Sequence, residues 1–143
     1  MQLEPVESAL LDTLLDDLDG ALATLPADDP VRRRLFPAGY QDEDAAAEFR
    51  ELTESSLRDV KAVRLGQCRA ELPAGAGTVE LSADETERWL TVLNDLRLAI
   101  GTRLEITEEE PLEVDPASAD AQTRGIYHWL TALQDALVSA AMR

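Results

Sequence analysis

The sequence has few of the residue types on which most catalytic and metal sites depend. Its 143 residues include one cysteine, Cys68, and one histidine, His128. A single cysteine excludes an intramolecular disulfide and a cysteine-rich zinc site. A single histidine without a paired serine or cysteine motif argues against nucleophilic catalysis. Because no acid–base pair or nucleophile emerges, we expect neither an enzyme nor a bound metal or cofactor.

Positive charge and long apolar runs are also scarce. There are 13 basic and 29 acidic residues, and the net charge of −16 repels nucleic acid and anionic membranes as a whole. No apolar run approaches the roughly 20 residues that span a bilayer. The N-terminal stretch carries acids where a signal peptide carries positive charge. We therefore expect a soluble, cytoplasmic protein without membrane contact, with a protein partner favoured over DNA.

The remaining composition favours helices. Apolar residues make up 45% of the chain and aromatic residues only 4%. Alanine and leucine dominate and β-branched residues are few, which is typical of helical proteins. The sequence thus predicts an all-α fold, a single compact domain of about five helices spanning 1–143. An acidic, proline-containing stretch near 107–117 is expected to be an exposed, mobile connection.

Start and stop signals place the helices along the chain. Pro5 suits a first turn, Asp29 followed by Pro30 suits a helix start, and Ser82 with Glu85 forms a capping box. A lone extended piece is expected at Val79–Leu81, without an identifiable partner strand. The predicted helices are Glu4–Leu25, Pro30 to the residue before Pro37, Asp44–Leu72 with a break at Thr53–Ser56, a central helix at 82–105, and Ser118–Ala141.

The first helix has an apolar and an acidic side. Asp12, Asp16 and Asp19 form the acidic row, which we interpret as a solvated face. The apolar arc is wide, because Leu11, Leu15 and Leu22 extend it. A wide arc is compatible with a central position or with a homodimer interface. The predicted stripe consists of Leu3, Leu10, Leu14, Leu18, Ala21 and Leu25.

The central helix carries two arginines among its leucines. Its apolar stripe contains Trp89, and Arg97 and Arg103 lie on opposite borders of that stripe. We expect both arginines to lay their stems along the core and to pair with carboxylates of neighbouring helices. The alternative is that they bind a ligand or a partner. Leu98 lies off the stripe, where it would contact the first helix or a second subunit.

The segment 32–69 holds eight of the 13 basic residues. This local positive charge could contact a protein partner or DNA phosphates. It could instead neutralise the first helix, which has no basic residue of its own. The candidate contact residues are Arg32, Arg33, Arg34, Arg58 and Lys61. On the last helix, His128 falls opposite the inner stripe of Ile126, Leu130, Leu133, Leu137 and Ala140, and is expected to be exposed.

Four stretches resemble a known family. "NDLRLAIGTRL" at 94–104 is similar to the signature of an actinomycete family of domains of unknown function, some of whose members are named oxidative-stress transcriptional regulators of the AosR type. "LFPAGY" at 35–40, "EFRELT" at 48–53 and "YHWLTALQDALV" at 127–138 match the same pattern. The resemblance implies an all-helical regulatory or adaptor protein that acts through protein contacts in stress-responsive transcription. Alternatives are a DNA-contacting regulator that uses the arginine-rich segment, and an accessory protein of Clp-type proteolysis, since family genes often lie near the gene for the ClpS adaptor.

The single cysteine, Cys68, restricts the chemistry by which such a regulator could sense oxidation. A reversible intramolecular disulfide needs two cysteines, and the sequence has one. Only an intermolecular disulfide or a sulfenic acid at Cys68 would then serve as a redox signal. Cys68 also lies in a helix-like run, where a free cysteine usually acts as a small hydrophobic residue.

Overall fold

The computed structural model describes residues 1–26, 28–36, 47–74, 77–106 and 114–142, with the backbone alone for 47–55. Within these residues the fold is all-α, as predicted, with five helices and one two-stranded sheet. None of the described helices combines the length and the apolar character that a membrane span requires. The elements are β1 (Gln2–Leu3), α1 (Pro5–Thr24), α2 (Pro30–Leu35), α3 (Ala47–Glu71), β2 (Gly77–Thr78), α4 (Ala83–Arg103) and α5 (Ala121–Ala141).

Helix α4 is the centre of the fold, as predicted. It packs against α1, α2, α3 and α5. Its start is the capping box of the sequence: the Glu85 amide donates to Ser82 Oγ at 3.2 Å, and the Ser82 amide donates to Glu85 Oε2 at 3.1 Å. Leu81, directly before the cap, packs against the core. The buried face of α4 is wide because several helices cover it; it comprises Trp89, Val92, Leu93, Asp95, Leu96, Ala99 and Ile100.

The other predicted helix starts at Pro5 and Pro30 are also confirmed. Pro5 is the first residue of α1, and the Glu4 amide donates to Glu7 Oε1 at 2.8 Å. Pro30 is the first residue of α2, and Asp29 Oδ1 accepts from the Val31 amide at 2.8 Å. Each of these starts depends on groups within three residues of each other, so the local sequence is sufficient to place it.

The buried face of α1 lies within the wide apolar arc that was predicted, but its centre is displaced by about one residue from the predicted stripe. The face that is buried consists of Ser8, Leu11, Leu15, Leu18 and Leu22. Leu14 is only partly buried, and Leu10 lies at the same border. Adjacent leucine pairs make two helical registers almost equally apolar, so periodicity alone does not choose between them. Packing against α3 and α4 selects the observed face, and Ser8 Oγ fixes it further by donating to the Pro73 carbonyl at 2.8 Å.

Two other boundaries differ from the prediction. Helix α3 runs from Ala47 to Glu71 without the break expected at Thr53–Ser56. Serine and threonine cap helices but also propagate them, and packing on two neighbouring helices overrides their weak preference. Helix α5 begins at Ala121 instead of Ser118, since Asp115 and Ser118 make turn hydrogen bonds that compete with helix formation.

The two strands join the start of the chain to the segment before α4. Gln2 pairs with Thr78 and Leu3 with Gly77 in an antiparallel register. The Met1 amino group donates to the Val79 carbonyl at 2.9 Å, and the Val79 amide donates to the Met1 carbonyl. The strand therefore lies two residues before the predicted Val79–Leu81. Its partner is distant in sequence, which local reasoning could not identify. The expected acidic connection lies at 107–113 outside the described residues, and residues 114–120 form loop and turns.

Candidate functional site

Arg97 connects the central helix α4 to the last helix α5 through side-chain hydrogen bonds. Its Nε donates to Thr131 Oγ1 at 3.0 Å and its Nη1 donates to Gln134 Oε1 at 2.6 Å. Its guanidinium also lies over the Tyr127 ring, 5.4 Å from the centroid. The expected structural role of Arg97 between helices is therefore present, but the expected carboxylate partners are not. Among the described residues, the acceptors of Arg97 are neutral, so its positive charge is not compensated by an ion pair.

A cleft opens beside this arginine at the C-terminal half of α4. Its volume is about 310 Å³. Gly101 allows the Tyr127 ring to approach α4, since a Cβ at this position would lie 3.2 Å from Tyr127 Cε2. We call it the arginine cleft; its lining residues are Arg34, Arg97, Leu98, Gly101, Thr102, Glu105, Ile106 and Tyr127.

The other residues singled out on α4 have different environments. Trp89 is fully buried, and its Nε1 donates to Glu71 Oε2 at 2.6 Å. Leu98, expected off the stripe in contact with the first helix or a second subunit, is partly buried, packs against the core and lines the arginine cleft. Arg103 is exposed and makes no side-chain ion pair with the described part of the chain, so the predicted carboxylate pairing is wrong for it as well. Its charge lies in the last turn of α4, where it complements the helix dipole.

Two residues of the basic segment form ion pairs inside the fold. Lys61, predicted as a partner or DNA contact, is buried and its Nζ lies 2.8 Å from Asp95 Oδ2. Arg69 bridges Asp12 and Asp16 of α1, at 3.0 and 3.1 Å, which is the neutralising role considered for this segment.

The remaining arginines of this segment point in different directions. Arg32 Nη1 donates to the Leu25 carbonyl at 2.8 Å, and its guanidinium lies 5.5 Å from the centroid of the Phe36 ring. Arg58 is partly buried. Arg33 and Arg34 are exposed, and of these two only Arg34 lines the arginine cleft. The five predicted contact residues therefore do not form one exposed basic surface.

A second depression, which the sequence did not indicate, lies between β2, the start of α4 and the end of α5. Its volume is about 530 Å³. The charged side chains in its lining are Glu80 and Glu87, both exposed. We call it the apolar groove; it is lined by Met1, Thr78, Val79, Glu80, Leu81, Ala83, Thr86, Glu87, Leu90, Leu137, Ala140 and Ala141. Ala140 was expected on the inner stripe of α5 but is exposed at its end.

Sequence comparison identifies the family. The model described as "Domain of unknown function (DUF2017)" matches residues 1–141. The chain belongs to this family. It is 33% identical over 128 residues to the oxidative stress regulator AosR of Mycobacterium tuberculosis (strain H37Rv), and 35% identical over 129 residues to the putative oxidative stress regulator AosR of Mycobacterium leprae. Each alignment covers 80% of this chain but 59% of the relative, so the chain matches less than two thirds of the relatives' length. No solved structure matches the chain.

The family resemblance seen in the sequence is thus confirmed, and two of its stretches meet at the arginine cleft. Residues 94–104 contribute Arg97, Gly101 and Thr102, and residues 127–138 contribute Tyr127 to the lining. Thr131 and Gln134, from the same second stretch, hold Arg97 in place. Of the other two stretches, 37–40 and the side chains of 48–53 lie outside the described residues. The cleft is therefore where DUF2017-like segments of this chain converge.

Cys68 has the environment of a core residue in this DUF2017 domain. Its side chain is fully buried. Burial raises the pKa of the thiol from 9.0 to about 11, although a hydrogen bond and charge from Arg88 act in the opposite direction. The thiolate is the reactive form of cysteine, and here it is disfavoured. The structure therefore supports the small-hydrophobic interpretation of Cys68.

Two further predictions concern His128 and the acidic row of α1. His128 is half-buried instead of exposed, and its ring stands edge-on to Tyr127 at 5.7 Å between centroids. Asp12, Asp16 and Asp19 are exposed, and the first two accept from Arg69. Over the residues that the structure describes, no group of three or more histidine, cysteine or acidic side chains is arranged to hold a metal ion.

Proposed function

We propose that this protein is a regulator of the oxidative stress response that works by binding another protein. The observation that carries the proposal is the similarity to proteins named oxidative stress regulators, together with a family match over nearly the whole chain. The relatives are longer than this chain, so the proposal concerns the regulatory contact made by this domain.

The apolar groove is the surface that best suits such a contact. The apolar wall of the groove is formed by Val79, Leu81 and Leu90. The small side chains of Ala140 and Ala141 leave room for those of a partner. Glu80 and Glu87 place negative charge at the groove, and the described residues that line it include no basic side chain. An amphipathic helix docks in such a groove by its apolar face. Charge complementarity selects a partner helix whose apolar face is flanked by lysine or arginine.

Contact with DNA is the less supported alternative. Lys61 and Arg69, two of the basic side chains of the arginine-rich segment, are engaged with acids of the same chain. A phosphate backbone attracts proteins through clustered free cations, and the net charge of −16 opposes it. A link to Clp-type proteolysis stays a prediction, and a Clp component captured at the groove would support it.

The test uses two matched substitutions on α5. Ala140→Arg places a cation and a large side chain at the groove, whereas Ala136→Arg makes the same change at an exposed position outside its lining. A photo-crosslinker at Ala141 should capture a protein through a helix with a basic, apolar sequence. Ala140→Arg should abolish that capture, and Ala136→Arg should preserve it.

A complementation experiment tests the regulatory part. Deleting the gene should alter the transcriptional response to peroxide, and the wild type and Ala136→Arg should restore it while Ala140→Arg does not. An unchanged response after deletion would refute the stress role. Equal restoration by both variants would refute the apolar groove as the binding surface. Sequence-specific DNA binding at about 150 mM salt, lost with Arg33→Ala and Arg34→Ala, would replace protein contact by the DNA alternative.

A further inference from the structure

The arginine cleft contains two positive charges that no described residue neutralises through an ion pair. Arg34 and Arg97 both line it, and neither forms an ion pair with the part of the chain that the structure describes. This is unusual in a protein with 29 acidic and 13 basic residues, in which Lys61 and Arg69 pair with acids. Among the described residues that line the cleft, the carboxylate is that of Glu105, which is exposed. The described part of the cleft lining therefore carries a net positive charge.

Arg97 is held in one orientation. Thr131 and Gln134 occupy its Nε–H and one N–H of Nη1, and Tyr127 supports the face of the guanidinium. Three of the five N–H donors of the guanidinium, including both on Nη2, make no hydrogen bond with the described residues. Because its position is already fixed, a ligand would not have to order it, which lowers the entropic cost of binding.

The rest of the lining indicates what the anion would be attached to. Tyr127, Leu98 and Ile106 provide apolar surface. The Thr102 hydroxyl already donates to the Leu98 carbonyl at 2.7 Å, so it adds little recognition of its own. A volume of about 310 Å³ is at the lower end of the range for small-ligand sites. Glu105 opposes a ligand with several negative charges.

We propose that the arginine cleft binds a small organic monocarboxylate. Its carboxylate accepts hydrogen bonds from Arg34 and Arg97, and its apolar group packs on Tyr127 and Ile106. Guanidinium groups suit a carboxylate because their paired N–H donors match its two oxygens. The site lies at the C-terminal half of α4, away from the apolar groove at the start of that helix, and it does not depend on the proposed protein contact.

Benzoate is a suitable probe, because it joins a carboxylate to an apolar ring, and benzamide is its neutral control. Each is titrated into the ¹⁵N-labelled chain up to about 10 mM, at about 20 mM salt where screening is weak. Benzoate should shift the amide signals of Gly101, Thr102 and Tyr127 in a saturable manner, and benzamide should not. A third titration with N-acetylglutamate amide represents an acidic side chain of a partner protein.

Arg34→Ala is the decisive variant, since Arg34 is exposed and its loss leaves the core intact. We expect about tenfold weaker benzoate binding, as for the loss of one charged hydrogen bond, and no change with Arg33→Ala, the neighbouring exposed arginine outside the cleft lining. Absence of saturable benzoate shifts, shifts at other residues, equal binding of benzamide, or unchanged binding by Arg34→Ala would each overturn the proposal. Saturation by N-acetylglutamate amide alone would assign the cleft to an acidic side chain instead.

Discussion

At the scale of single residues, Arg97 is the contact whose replacement is most informative. It holds α4 to α5 through Thr131, Gln134 and Tyr127. Arg97→Ala removes all three contacts, and we expect the free energy of unfolding to fall by about 1–3 kcal/mol. Arg97→Lys should recover only part of this, because an ammonium cannot donate in two fixed directions.

The measurement is urea unfolding of both variants and the wild type. Arg103→Ala is the control on the same helix, since Arg103 is exposed and lacks such contacts among the described residues. An Arg97→Ala midpoint equal to that of Arg103→Ala would show that the α4–α5 contact does not depend on this side chain.

Cys68 yields a prediction about reactivity. Its thiol is buried and its pKa is raised to about 11, so at pH 8 alkylation by iodoacetamide should be slow in the folded protein and fast in urea. Peroxide should likewise leave Cys68 as a thiol under native conditions. Rapid sulfenic acid formation in the folded chain would contradict the burial and would restore the redox interpretation.

The raised pKa of Cys68 also predicts that the free energy of unfolding decreases as the pH rises. The folded thiol holds its proton up to about pH 11, while the unfolded thiol loses it near 9.0. Its contribution to stability is thus fully present below pH 9 and is lost as the pH rises toward 11. Urea midpoints between pH 8 and pH 11 should fall more steeply for the wild type than for Cys68→Ala, a comparison that cancels the other groups titrating there. Parallel pH curves would contradict the prediction.

At the scale of the elements, the start of α4 depends on its capping box. Ser82→Ala removes the acceptor of the Glu85 amide hydrogen bond, and we expect a loss of about 1 kcal/mol. Ser56→Ala, at an exposed position within α3, should leave the urea midpoint nearly unchanged. A urea midpoint of Ser82→Ala equal to that of the wild type would show that water replaces the capping hydrogen bond without loss of stability.

The contact between α3 and α4 includes a buried ion pair. Lys61 and Asp95 have side chains that are 10% and 12% exposed. Lys61→Met leaves the buried Asp95 carboxylate without its partner and should lower the free energy of unfolding by about 3 kcal/mol. The double variant Lys61→Met with Asp95→Leu removes both charges and should recover most of that loss. A double-mutant cycle in urea measures the coupling. Additive losses would mean that the two charges do not depend on each other.

At the scale of the whole molecule, the excess of acids has a measurable consequence. A net charge of −16 on 143 residues creates self-repulsion that opposes the compact state. Raising sodium chloride from about 20 to about 500 mM screens this repulsion, and Tm should rise by about 3 °C or more. Choline chloride should act equally, because the effect is ionic screening. A Tm that falls with salt would show that internal ion pairs outweigh the repulsion.

Much of the fold was predictable, but less of the candidate site. The helices and the central place of α4 follow from apolar periodicity and from Pro5, Asp29 and Ser82. For the site, the border position of Arg97 was predictable, but its neutral partners Thr131 and Gln134 were not, because they are 34 and 37 residues away. Nothing in the local sequence indicated that Arg34 would share a cleft with Arg97.

The sequence by itself determined the helical class, the helix starts and the charge excess, because these depend on composition and on groups a few residues apart. Tertiary structure alone decided which face of α1 is buried, that Lys61 pairs with Asp95, and that Gln2–Leu3 finds its strand partner at Gly77–Thr78. These outcomes join distant segments, and several pairings are compatible with the same local pattern. Packing selects among them, because the buried polar groups and core side chains must be satisfied together in one arrangement.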